Sequence, residues 1–251
     1  MPGIEDVARL AGVSTATVSR ALSGKDVVSE KARKKVEAAA NELGYIVSHS
    51  AYTLATGRNR NIGVVMPYVD RWFFAASLEA IESTLIEHGY DLTLYNMSGG
   101  AEQRKKIFTD FLLRKRVDAV ITLAVHPDEH EMAQLDKMKK PILAIGGQVH
   151  GARSLSMNDH DAGKLATEHL LSLGHTRVAN ISGLVNSDRE FNQADKRREG
   201  YLEAMHEAGL ETRKNWLVEA DYTAQGAYRV AKQMLGDPKN APTAIFANSD
   251  E

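Results

Sequence analysis

The stretch DVARLAGVSTATVSR, residues 6–20, decides how the chain is read. Ile4, Val7, Ala8 and Ala11 recur at i, i+3, i+4 and i+7, which makes one apolar stripe on a helix. Gly12 then leaves the helix, because glycine takes positive φ without steric cost. Val13 is placed to plug the corner, and Ser14 to cap a second helix that begins at Thr15. With Val18, Ala21 and Leu22 turned inward, Thr15, Ala16, Ser19 and Arg20 share the outward face. Small hydroxyl residues, an alanine and one arginine on a short helix suit a DNA major groove. Hydroxyls reach phosphates or bases, alanine meets a thymine methyl, and arginine holds guanine through two hydrogen bonds.

Working outward, Ser29 caps a third helix with an apolar stripe of Val36, Ala39, Ala40 and Leu43, and Gly44 stops it before Tyr45 packs back. The segments DVARLAGVSTATVSRALSG (6–24) and VSEKARKKVEAAANELGY (28–45) resemble the head of the lac repressor (LacI/GalR) family of bacterial transcription regulators. The DNA-binding candidates are therefore Ser14, Thr15, Ala16, Thr17, Ser19 and Arg20. An ordinary helical hairpin is the bland alternative.

Residues 47–60, VSHSAYTLATGRNR, separate this head from a differently patterned region. Ser48 can cap a short helix that Gly57 stops, too short to hold unaided in water. The resemblance implies a hinge helix that pairs with its copy from a second subunit in the minor groove. Leu54 then falls on the wedging leucine and Ala51 on the small residue at the helix contact. Two positions depart from the family pattern: Val47 stands where proline is common, and Gly3 where a hydroxyl residue often caps the first helix. A flexible tether is the alternative reading of 47–60.

From Asn61 onward, near-continuous apolar runs at 62–66, 91–96, 117–124, 142–146, 177–182, 216–220 and 243–248 alternate with helical segments. The helices are expected at about 73–88, 101–115, 128–139, 162–173, 194–208 and 223–235. That alternation predicts parallel sheets covered on both faces, and its restart near 153–160 divides them into two units. The fold class expected is a helix-turn-helix head (1–46), a hinge (47–60) and an α/β effector-binding domain (61–251). The last has two doubly wound subdomains, about 61–153 and 154–251. Ligands of such sheets bind beyond the carboxyl ends of the strands. Here those ends are rich in aromatic, Asp, Asn and Gly residues, including 67–74, 221–222 and 248–250.

GYDLTLYN (89–96), RVDAVITLA (116–124), EHLLSLGHTRVANISG (168–183), RREGYLEAM (197–205) and TAIFANSDE (243–251) resemble the family's effector domain, which is akin to periplasmic sugar-binding proteins. The resemblance implies an effector site made by Phe73 and Phe74, Asp159, Arg197, Tyr222, Ser249 and Asp250. Phe73 and Phe74 also fit plain core positions, and Arg197 a surface position between Lys196 and Arg198. Trp72, where the family has a small residue or proline, is expected to narrow the pocket mouth. The family continues past the position of Glu251, so the second subdomain is expected to be incomplete here.

Composition bounds the function. With no cysteine, disulfides, thiolate metal sites and Cys nucleophiles are excluded. No apolar run is long enough to span a bilayer, so no membrane partner is expected and the location expected is cytoplasmic. Residues 1–60 hold nine Lys/Arg against six Asp/Glu, and the rest 22 against 27, so positive charge gathers at the DNA-reading end. His126-Pro127-Asp128-Glu129-His130 spells H-x-x-E-H, but Pro127 prefers the first helical position and leaves His126 ahead of the helix. No metal, cofactor or catalytic constellation is expected. The function implied is a ligand-responsive transcription regulator, a repressor, that reads a near-palindromic operator as a homodimer under control of a small sugar-like effector. The alternative is a sugar-binding module without productive DNA binding.

Overall fold

The computed structural model describes residues 2–22, 28–45, 53, 56–183 and 192–250. The chain divides into two compact units, Met1–Asn59 and Arg60–Glu251.

In the first unit, α1 (Ile4–Ala11), α2 (Thr15–Leu22) and α3 (Glu30–Leu43) enclose one small core. Val7, Val18 and Val36, one from each helix, are fully buried at its centre. Both helix stops expected at glycine are present. Gly12 (φ 67°) and Gly44 (φ 61°) are left-handed, and the next amides, Val13 and Tyr45, donate back to the Ala8 and Ala40 carbonyls at 3.0 and 2.8 Å. Ser14 Oγ accepts from the Thr17 amide, and Ser29 Oγ from the Ala32 amide. At the uncapped start of α1, the Asp6 carboxylate accepts the Gly3 amide (2.9 Å) and so supplies what Gly3 lacks. Of the hinge, Thr53 and Thr56 are helical, and the Gly57 amide donates to the Thr53 carbonyl at 2.8 Å. Ala51 and Leu54 lie outside the described residues.

The second unit has two lobes, each with a parallel sheet. In the first lobe, β1 (Asn61–Met66), β2 (Asp91–Asn96), β3 (Ala119–Leu123), β4 (Ile142–Ile145) and β5 (Arg153–Leu155) run in the order β2-β1-β3-β4-β5. In the second, β6 (Val178–Ser182) lies between β7 (Leu217–Glu219) and β8 (Ala244–Ala247). All five residues of β6 are buried, as a central strand covered on both faces requires. Helices α4 (Trp72–Glu87), α5 (Ala101–Lys106), α6 (Glu129–Met138), α7 (Asp159–Ser172), α8 (Gln193–Glu207) and α9 (Ala224–Leu235) make the crossovers.

Three details differ from the sequence expectation. The helix expected over 101–115 is regular only to Lys106. A π-turn (Ile107–Phe111) and a 3₁₀ turn (Leu112–Arg114) complete it and bring Ile107, Phe108 and Leu112 together into the core. Strand β5 was not foreseen, because three residues exposed to solvent carry no apolar run. Helix α7 starts at Asp159 rather than near Ala162, since Asn158 caps it by accepting the Asp161 amide.

Helices α7 and α8 pack unusually closely. A Cβ on Gly163 would lie 2.1 Å from the Arg197 carbonyl oxygen, and one on Gly200 would lie 2.0 Å from that of His160. Only glycine at both positions allows the backbones to touch. Tyr201, beside Gly200, is fully buried, and its hydroxyl donates to the Val178 carbonyl on β6 at 2.8 Å.

Candidate functional sites

Two surfaces carry candidate chemistry, one in each unit. On the head, Val18 and Ala21 anchor α2 to the core. That leaves Ser14, Thr15, Ala16, Ser19 and Arg20 exposed, with Thr17 half-buried at the turn and hydrogen-bonded to Ser14 through both amide and hydroxyl. Ser14 therefore spends its side-chain oxygen on the cap.

In the body, the carboxyl ends of strands from both lobes converge on a cavity of about 400 Å³. Its first-lobe wall is Arg71 to Phe74 with Ala124; its second-lobe wall includes Arg197, Tyr222, Phe246 and Asn248 to Asp250. Six of the seven expected effector residues meet there: Phe73, Phe74, Arg197, Tyr222, Ser249 and Asp250. Phe74 is 6% exposed and also belongs to the core, packed with Met66 and Leu123, so both readings of that residue hold at once. Phe73 stands edge-on to it at 5.5 Å.

Asp159, the seventh, lies behind the cavity wall. Its Oδ1 accepts from Arg197 Nε and Nη2, both at 2.8 Å, and it lines a neighbouring hollow with Gly146, Gly147 and Asn158. The Arg197 Nη1 donates to the Asn248 carbonyl. Asn248 in turn accepts from Asn180 Nδ2 (2.8 Å) through its side-chain oxygen. This chain of hydrogen bonds fixes the floor of the cleft from α7, α8, β6 and the end of β8.

Two cavity residues have strained backbones: Tyr222 (φ 53°) and Ala124 (φ 49°) are left-handed without being glycine. The Tyr222 ring covers Gly183 so closely that a Cβ there would meet it at 2.0 Å. Sequence reading also missed Gln193, which donates from the start of α8 across to the Gly146 carbonyl at the end of β4 (3.0 Å), and Met157 in the crossover. Neither sits at a strand end, so the strand-end rule had no means of finding them. Trp72 does line the cavity, 59% exposed.

Among the described residues no cluster of His, Asp or Glu could hold a metal. His126 precedes α6, whose cap is Asp128, while Glu131 is bound bidentately by Arg104 at 2.6 and 2.7 Å. No helix of the described residues is long and apolar enough to cross a membrane.

A helix-turn-helix head joined to a two-lobed α/β body with a ligand-sized cleft defines a ligand-responsive DNA-binding regulator. The chain belongs to the lacI family of bacterial regulatory proteins. Residues 3–48 match that family's model, and residues 59–251 match that of the periplasmic binding proteins and sugar binding domain of the LacI family. Among curated proteins it is 34% identical to the ribose operon repressor of Escherichia coli (strain K12), covering all of this chain and 75% of that one. It is 32% identical to the HTH-type transcriptional repressor PurR of Glaesserella parasuis, covering all of this chain and 72% of that protein. Among solved structures, the lac repressor dimer bound to operator and the anti-inducer ONPF superposes with a TM-score of 0.81 at 27% identity, over 98% of this chain and 73% of that one. The chain is thus a transcription regulator of the repressor type with a DNA-binding head and a ligand-binding body.

Proposed function

We propose that two copies of this protein read a near-palindromic operator, each laying the outward face of α2 into the major groove. Ser14, Thr15, Ala16, Thr17, Ser19 and Arg20 make the contacts: Arg20 reads a base, and the hydroxyls position the helix on phosphates. Head 1–46 and body 61–251 are joined by a hinge at 47–60 that orders in the central minor groove, with Leu54 as wedge and Ala51 at the contact between the paired helices. The observation that carries this reading is the α2 face, where Thr15, Ala16, Ser19 and Arg20 are exposed while Val18 and Ala21 are buried.

The cleft takes a sugar or sugar derivative, which is bound and released unchanged. The cellobiose complex of the regulator CelR supports this, being 27% identical with a TM-score of 0.61 over 98% of this chain. Phe73, Phe74 and Tyr222 offer ring faces, and Arg197, Ser249 and Asp250 the polar contacts. Binding alters the angle between the lobes and hence operator affinity, and the operator must alter ligand affinity by the same factor. The protein acts in the cytoplasm, where bacterial DNA is.

The test is selection of randomised duplex DNA by the purified chain at moderate salt, followed by sequencing of the retained fragments. Recovery of a palindrome is expected. A lone half-site would remove the dimeric reading, and no recovered site would favour a ligand-binding module without productive DNA binding.

A further inference from the structure

We propose that the effector carries an acidic group, a carboxylate or phosphate on a sugar-like ring, and that Arg71 recognises it. This rests on the cleft being the effector site, as proposed above, and specifies the chemistry of the ligand.

Arg71 precedes α4 with an extended backbone (φ −97°, ψ 140°), and its side chain does not cap the helix. Its guanidinium carbon lies 3.4 Å from the ring centroid of Tyr68, which follows β1, and 5.7 Å from that of Tyr222, which follows β7 in the other lobe. Aromatic faces attract a cation but bring no net charge. A guanidinium stacked by its faces keeps its N–H donors in its own plane, pointing past the rings. A planar carboxylate or two oxygens of a phosphate match a pair of those donors together.

The charges lining the cleft are two arginines and one aspartate, Asp250. Arg197 is matched by Asp159, whose side chain is 10% exposed, so that pair is settled within the protein. Asp221 lies near enough to Arg71 to feel it. Yet its carboxyl is held below the usual range first by the Thr223 hydroxyl, then by backbone and Arg229, and least by Arg71. The charge of Arg71 is little used there.

Neutral hydroxyls have other partners in the same walls, namely Ser249, Asn248 and Gln193. A half-buried cation among rings has given up part of its hydration, which a hydroxyl restores poorly. A hydrogen bond with an ionised acceptor is roughly twice as strong as one between neutral groups. An acid-bearing ligand therefore gains from Arg71 what its neutral parent cannot.

The protein contains its own reporter. Of its two tryptophans, Trp72 lines the cleft and is 59% exposed, whereas Trp216 is 2% exposed in the second-lobe core. Ligand entry changes the emission of Trp72. Fluorescence titrations of the full chain would compare glucose, galactose and mannose, each with its uronate and its 6-phosphate. At least one acid is expected to bind about tenfold or more tightly than its neutral parent, and whether uronate or phosphate leads identifies the group. Arg71→Gln should bring the acid-to-neutral ratio close to one, and Arg71→Lys should keep part of it, with thermal melting confirming that both variants fold. Neutral parents binding as tightly as the acids, or a ratio that survives in Arg71→Gln, would overturn the proposal and leave the sugar-effector reading standing. A cleft that answers to none of these sugars would overturn both.

Discussion

Arg197 and Asp159 hold one another through a single carboxylate oxygen, with Nε and Nη2 of the arginine both 2.8 Å from Oδ1. The aspartate faces the arginine and not the cavity, so its part in ligand binding is to aim Arg197. Asp159→Asn keeps the shape but leaves the guanidinium, 25% exposed, without its counter-charge. A stability loss of about 2–3 kcal/mol is expected in urea denaturation, together with weaker ligand binding. Wild-type stability in that variant would mean that solvent, and not Asp159, balances Arg197.

The pair sits where α7 and α8 touch through Gly163 and Gly200. Gly200→Ala would set a methyl 2.0 Å from a backbone oxygen, which only separation of the helices can relieve. Such overpacking should cost about 3 kcal/mol and weaken ligand binding as Arg197 moves off Asp159. A variant with unchanged melting and unchanged ligand affinity would show that the two helices yield cheaply.

Arg20 is the long cationic side chain on the exposed face of α2. Arg20→Ala should weaken binding to the best selected operator by about 1–3 kcal/mol and relax the preference at one base-pair position in each half-site. Uniform weakening across all sequences would assign Arg20 to a phosphate instead.

Burial pushes the Tyr201 phenol up to about 12. In the unfolded chain a tyrosine ionises near 10, so the unfolded state loses its proton first as pH rises. Tyr201 therefore contributes stability that is fully present below about pH 10 and is lost between there and about pH 12, by about 1 kcal/mol per unit. Tyr201→Phe should be less stable at neutral pH by about 1 kcal/mol, for the lost bond to Val178. Its urea midpoint should fall less steeply than the parent's above pH 10. Parallel alkaline slopes would place the effect on another group.

The head was legible almost residue by residue. Its features are local: a serine bonds an amide three residues on, a glycine ends a turn, and apolar residues repeat within one helix. The strands of the body were legible for a similar reason, since burial on both faces writes itself as a continuous apolar run. The π-turn at 107–111 escaped notice because one extra residue in a turn leaves the apolar pattern nearly unchanged.

Sequence alone therefore determined the helix-turn-helix, the alternation of strands and helices, and which strand ends would offer ligand contacts. Tertiary structure alone decided how those ends are used. Asp159 turns from ligand to arginine because Gly163 and Gly200 bring α7 against α8. Gln193 reaches Gly146, and Arg71 lies between Tyr68 and Tyr222, because the two lobes close on one another. Such contacts join residues far apart in the chain, and their geometry follows from the packing of whole helices and sheets, which no local pattern of residues encodes.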